Sequence, residues 1–84
     1  MSSNNLYVVK APLAGTFYES PSPDDPPYVE KGQKVKPGDV VCIVESMKVF
    51  TEIRAERGGT VKNILIEDED PVNKGQILIE IELS

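Results

Sequence analysis

Val40-Val41-Cys42-Ile43-Val44-Glu45-Ser46-Met47-Lys48-Val49-Phe50-Thr51-Glu52-Ile53 is the stretch on which the reading of this chain turns. Its two flanks are rich in β-branched and aromatic residues, which fit a pleated, half-buried surface. Between them Ser46-Met47-Lys48-Val49 reads as a hairpin turn with Lys48 at its tip, near the middle of the sequence. An amine held there stands clear of the domain and can enter another protein's active site. A lysine at an arbitrary hairpin tip is ordinarily just solvated. The adjacent methionine, the central placement and the duplication described next argue instead for an attachment point on a carrier.

Outward from the hairpin the sequence repeats itself. Val9-Lys10-Ala11-Pro12-Leu13-Ala14-Gly15-Thr16 matches Ile53-Arg54-Ala55-Glu56-Arg57-Gly58-Gly59-Thr60 at an offset of 44. Val35-Lys36-Pro37-Gly38-Asp39-Val40-Val41 matches Val72-Asn73-Lys74-Gly75-Gln76-Ile77-Leu78 at an offset of 37. Each half reads as strand, Gly-Thr bend, strand, Gly turn, strand. Leu6–Val9, Thr60–Ile66 and Ile77–Glu82 are further β-branched runs. Lys31-Gly32, Pro37-Gly38-Asp39, Gly58-Gly59 and Lys74-Gly75 supply turns, as in an all-β sandwich or barrel. No window carries a helical stripe. Two copies of one β unit predict a two-fold pseudo-symmetric sandwich.

The offset falls by seven residues between the paired segments, so the first half carries an insertion. It lies within Ser20-Pro21-Ser22-Pro23-Asp24-Asp25-Pro26-Pro27, where four prolines fix φ and remove backbone donors. Such a segment cannot continue a sheet and projects as a stiff, extended loop. It reads either as a tolerated surface insertion or as a shaped protrusion.

Composition narrows the function. The 84 residues make one small domain. A net charge of -5 argues against nucleic acid or an anionic membrane as partner. No apolar run approaches the roughly 20 residues of a membrane helix. Histidine is absent, which removes the usual general base and the commonest metal ligand. Cys42 is the only cysteine, so no internal disulfide forms and a reducing compartment fits; it reads as a small strand residue in or near the core. Glu67-Asp68-Glu69-Asp70 lacks the glycine and spacing of a calcium loop and reads as a solvated turn. Asp24 and Asp25 read as loop solvation rather than a catalytic pair. Gly15-Thr16 and Gly59-Thr60 read as structural bends, with no following helix to receive a phosphate. No catalytic residue and no metal ligand is assigned.

Several segments together carry a family resemblance. They are Ala11-Pro12-Leu13-Ala14-Gly15-Thr16-Phe17-Tyr18, Ser20-Pro21-Ser22-Pro23-Asp24, Val40 to Lys48, Gly59-Thr60-Val61 and Pro71-Val72. From about Tyr7 to Glu82 the chain resembles the biotinyl domains of the carrier component of acetyl-CoA carboxylase. Met-Lys at the tip favours biotin, since lipoyl domains usually place an acidic residue before their lysine. The Gly-Thr-Phe-Tyr and Ser-Pro-Ser-Pro segments match the protruding thumb that distinguishes these carriers from most other biotinyl domains.

The resemblance implies a flattened β-barrel or sandwich of two antiparallel four-stranded sheets, the biotinyl/lipoyl-carrier fold, with a protruding thumb loop. Residues 1–5 would be a flexible N-terminus and 6–84 the carrier domain, with the thumb at about 20–27. Lys48 would hold biotin as an amide, and Glu45, Met47 and Val49 would be read by biotin protein ligase. Ser46 stands where alanine is common, and Val49 where methionine or leucine is more typical. Ser20, Pro21, Ser22, Pro23, Asp24, Asp25, Pro26 and Pro27 would form the thumb. The implied role is a non-catalytic carrier that moves carboxyl between biotin carboxylase and carboxyltransferase in fatty acid biosynthesis. The alternatives are a biotinyl domain of another acyl-CoA carboxylase or a lipoyl-type swinging arm. The implied setting is the cytoplasm, or the plastid stroma for a longer plant precursor. The Ala/Pro-rich linker that usually precedes such domains is not in this sequence, so the chain reads as part of a longer protein or as a free-standing biotinyl protein. A lysine amine, with an ordinary pKa near 10.4, is mostly protonated at neutral pH and needs a base from the ligase to act as a nucleophile.

Overall fold

The computed structural model describes residues 5–84; of the segment expected to be a flexible N-terminus, residues 1–4 lie outside the described residues. Eight strands are formed: β1 (Leu6–Lys10), β2 (Gly15–Tyr18), β3 (Lys34–Val35), β4 (Val40–Ser46), β5 (Val49–Arg54), β6 (Gly59–Ile64), β7 (Pro71–Val72) and β8 (Ile77–Leu83). They build two four-stranded sheets, ordered β1-β8-β6-β3 and β5-β4-β2-β7. Every pairing is antiparallel. The fold is the all-β, two-sheet architecture expected from the sequence.

The internal repeat is the symmetry of the fold. The offset of 44 carries β1 and β2 onto β5 and β6, and the offset of 37 carries β3 and β4 onto β7 and β8. Under that mapping the two strand orders become one list. Irregularities are repeated as well. In β8 the register skips Leu78, between Lys10↔Ile77 and Val9↔Ile79. In β4 it skips the equivalent Val41, between Arg54↔Val40 and Ile53↔Cys42. The turns agree bond for bond: Gly38 N–H donates to the Ala55 carbonyl at 2.8 Å, and Gly75 N–H donates to that of Ala11 at 2.8 Å.

The bulges explain why β4 and β8 are not cleanly alternating. An extra residue turns two successive side chains inward, so Val41 with Cys42, and Leu78 with Ile79, are all buried. Phe17, Val44, Val61 and Ile81 complete a core filled from both sheets, and Val29, Ala11 and Ala55 seal it.

Gly15 and Gly59 serve differently from the bends expected of them. They open β2 and β6, and neither has a positive φ. A Cβ at Gly15 would lie against the Glu45 carbonyl oxygen and 2.9 Å from Val44 Cγ1; at Gly59 it would lie against the Glu82 carbonyl oxygen and 2.8 Å from Ile81 Cγ2. Glycine is needed there because the neighbouring backbone passes too close for any side chain.

Candidate functional site

β4 and β5 are joined by a two-residue turn. Ser46 pairs with Val49, and the central residues Met47 and Lys48 have φ of 53° and 68°. Two successive positive φ values are what a type I′ hairpin requires, a geometry usually met by Asn-Gly. For L-residues with longer side chains the left-handed region costs about 1–2 kcal/mol per residue. Met-Lys is thus a locally unfavourable choice held in place by its surroundings, and such strain concentrates at functional positions.

The tip extends beyond the sandwich. Val44 is fully buried, whereas Val49, on the inward-facing side of β5 like Ile53, is 62% exposed because no opposing layer reaches it. Met47 is 91% exposed. A methionine so placed contributes little to the core and presents its thioether to whatever approaches Lys48. Among the described residues the Lys48 ammonium enters no ion pair; the one pair present joins Arg54 to Glu52. Glu45, immediately before the turn, directs its Oε2 to the Lys48 main chain and accepts that N–H at 2.8 Å.

The proline-rich insertion folds back over the outer face of β5-β4-β2-β7. Its neck is closed by Tyr28 N–H donating to the Glu19 carbonyl at 2.8 Å. Ser20 Oγ donates to the Ser22 carbonyl at 2.8 Å, and Ser22 Oγ to Asp25 Oδ2 at 2.9 Å, which ties the arch internally. Asp68 Oδ1 accepts the Glu19 N–H at 2.9 Å and anchors the base of the arch to the acidic turn. That turn is solvated, as expected from sequence, and it is also a tether. No local pattern signals it, since 49 residues separate donor and acceptor. Burial pushes the Tyr28 hydroxyl above its usual pKa, with Glu52 and Asp25 adding to the shift.

Ile43 shows what the arch covers. It points away from the core cluster yet is only 8% exposed. With Tyr18, Phe50, Pro21 and Pro23 it lines an open depression of about 370 Å³ on that outer face. The Tyr18 and Phe50 rings lie 6.4 Å apart at a tilt of 42°, within the range of favourable aromatic pairs. Phe50, two residues beyond Lys48, brings the depression to the strand leaving the tip. Neither Tyr18 nor Phe50 was singled out as a site residue from sequence; the period-2 alternation that places Phe50 on the face of Glu52 was the available signal. Of the expected thumb residues, Ser20, Pro21, Ser22 and Pro23 line the depression, while Asp24, Asp25, Pro26 and Pro27 do not.

Cys42 is fully buried, and desolvation raises its thiol pKa to about 12, far from a reactive thiolate. No three His, Cys, Asp or Glu side chains among the described residues are grouped to hold a metal ion. No helix among them is long and apolar enough to cross a membrane.

Comparison with known proteins agrees with this fold. Residues 7–81 match the biotin/lipoyl family model described as "Biotin-requiring enzyme". The chain is 52% identical over 65 residues to the biotin carboxyl carrier protein of acetyl-CoA carboxylase 2, chloroplastic, of Arabidopsis thaliana, covering 77% of this chain and 26% of that protein. It is 50% identical over 76 residues to the biotin carboxyl carrier protein of acetyl-CoA carboxylase of Haemophilus influenzae, covering 90% and 49%. The crystal structure of Kluyveromyces lactis urea carboxylase contains a similar fold, with a TM-score of 0.79 at 26% identity, covering 96% of this chain and 6% of that one. The chain therefore spans about half the length, or less, of these relatives.

Proposed function

The chain belongs to the biotin-requiring family of biotin and lipoyl attachment domains, and on that premise we propose that it is the biotinyl carrier domain of an acetyl-CoA carboxylase, with biotin held as an amide on Lys48. Residues 6–84 are the carrier unit and residues 20–27 its thumb. The observation that carries this reading is the Met47-Lys48 turn, whose two strained residues present a projecting amine that has no ion pair among the described residues. The biotin carrier relatives support biotin over a lipoyl group.

The residues present fit the group. Nζ is free to attack an activated acyl carbon; it loses a proton to a base supplied by the ligase, the leaving group departs, and an amide forms. The depression under the arch, walled by Tyr18, Phe50, Ile43 and two prolines, offers apolar surface to a small ring. Bound biotin supplies a ureido nitrogen able to carry a carboxyl group. The β scaffold gives partner enzymes one constant docking surface, while tethering keeps the carried group at high effective concentration. The partners are biotin protein ligase, which reads Met47, Val49 and the turn, then biotin carboxylase and carboxyltransferase. The carrier itself performs no catalysis. The setting is the bacterial cytoplasm or the plastid stroma, as befits relatives from bacteria and chloroplasts.

Intact-mass measurement after incubation with biotin, ATP and biotin protein ligase tests this directly. One biotinyl increment that disappears in Lys48→Arg is expected. A lipoyl increment after expression with lipoate, or no increment at all, would overturn the assignment.

A further inference from the structure

We propose that Glu45 positions the acceptor lysine: its side chain holds the Lys48 main chain in the left-handed tip conformation, and it does so as a hydrogen-bond acceptor rather than as a charge read by the ligase. The inference rests on the reading of Lys48 as the acceptor. Met47 and Lys48 both have positive φ, at 53° and 68°. Residues that visit this region readily are glycine, which has no Cβ, and asparagine or aspartate, whose short polar side chains bond the local backbone. Neither methionine nor lysine can do so. The compensation has to come from outside the turn, and Glu45 Oε2 supplies it at 2.8 Å from the Lys48 nitrogen.

The placement of Glu45 suits that work. It stands directly opposite Phe50 on β5 and opposite Thr16 on β2, so neighbours flank its stem on both sides. Its own backbone is held by those two pairings, and its carbonyl lies so close to Gly15 that a Cβ there would meet it. Glu45 is thus a half-buried residue on a paired strand, and its carboxylate bonds, at the surface, the amide three residues ahead. It engages the backbone of Lys48 and, among the described residues, leaves the ammonium without an ion pair. One end of the lysine is fixed and the reactive end stays free. Ser46, the other polar neighbour, makes no side-chain bond to the turn among the described residues.

Acceptor and charge are separable by substitution, because glutamine keeps a side-chain oxygen at the same reach and loses the charge. The wild type, Glu45→Gln and Glu45→Ala are compared by steady-state biotinylation with purified ligase and by NMR hydrogen exchange at the Lys48 amide. Glu45→Gln should retain both Lys48 amide protection and kcat/KM to within a fewfold. Glu45→Ala should accelerate exchange of that amide and lower kcat/KM, each by roughly tenfold, the scale of one lost hydrogen bond. If Glu45→Gln loses as much kcat/KM as Glu45→Ala while its Lys48 amide stays protected, the ligase reads charge and the proposal is overturned. Unchanged Lys48 exchange in Glu45→Ala overturns it also. A wild type that takes up no biotin would instead defeat the reading of Lys48 as acceptor, and the exchange measurement, which needs no ligase, keeps the two failures distinct.

Discussion

Lys48 and Met47 sit where a side chain can be changed without touching the core. Lys48→Arg should abolish modification and leave thermal stability within about 0.5 kcal/mol of the wild type, as for surface substitutions generally. Met47→Ala should be equally silent in a melting curve, since the side chain is 91% exposed, yet slow biotinylation several-fold. A drop of several degrees in Tm would mean that Met47 packs inside after all. Cys42 lies at the opposite extreme. Its thiol keeps its proton to about pH 12 in the folded state, whereas an unfolded chain gives it up near 8.5. The unfolded state therefore binds fewer protons across that window. The thiol's contribution is fully present below about pH 8.5, and stability then falls with rising pH by up to about 1.4 kcal/mol per unit. Urea unfolding between pH 8 and 10.5 should show a shallower decline for Cys42→Ala than for the wild type; parallel declines would refute the buried-thiol account.

At the scale of elements, the arch and the tip differ in how they can be removed. Tyr18 and Glu30 bracket the inserted segment, and Lys62 and Glu67 bracket its shorter counterpart, so deleting Ser20–Pro26 leaves a connection of the length the other half uses. The domain should fold, with a loss of about 1–2 kcal/mol as Ile43 loses its cover. Biotinylation of Lys48 should persist, while NMR relaxation of the attached biotin should report a more mobile ring. Equal mobility in both forms would reduce the arch to a surface loop. Much of this was legible in the sequence. The prolines announced a stiff projection, the change of offset located it, and Met-Lys between two β runs located the tip. The Glu19–Asp68 tether, the burial of Ile43 and the part of Glu45 were not legible. The first two depend on which distant strands become neighbours, and a local pattern carries no information about that; the bond of Glu45 is local, but nothing in the residue types shows that its carboxylate turns to the Lys48 amide. The Gly-Thr pairs were read as bends because glycine more often marks a turn than a close backbone approach, and only the packed sheets separate the two.

The whole molecule offers a sharper test, because its symmetry leaves one hairpin unmade. The pair Leu6↔Glu82 is the counterpart of Phe50↔Glu45. Leu83 therefore stands where Ser46 does, and Asn5 where Val49 does, so a two-residue link from Leu83 to Asn5 would close β8 onto β1 as β4 closes onto β5. A chain closed there with a Met-Lys dipeptide, carrying L83S and N5V, and opened between Asp24 and Asp25, keeps every strand pairing intact. Termini moved to an exposed loop tip are generally tolerated. The new tip would have Glu82 in the place of Glu45 and a glycine, Gly59, beneath it in the place of Gly15. It would lack any counterpart of the arch, since the second half has none. If recognition is local to the tip, this permutant should fold cooperatively and gain two biotinyl increments by intact mass, with the second lost when Glu82 is changed to alanine far more than when it is changed to glutamine. A single increment on a folded permutant would show that the ligase needs surface beyond the turn, such as the Tyr18–Phe50 face that only the β5-β4-β2-β7 sheet provides.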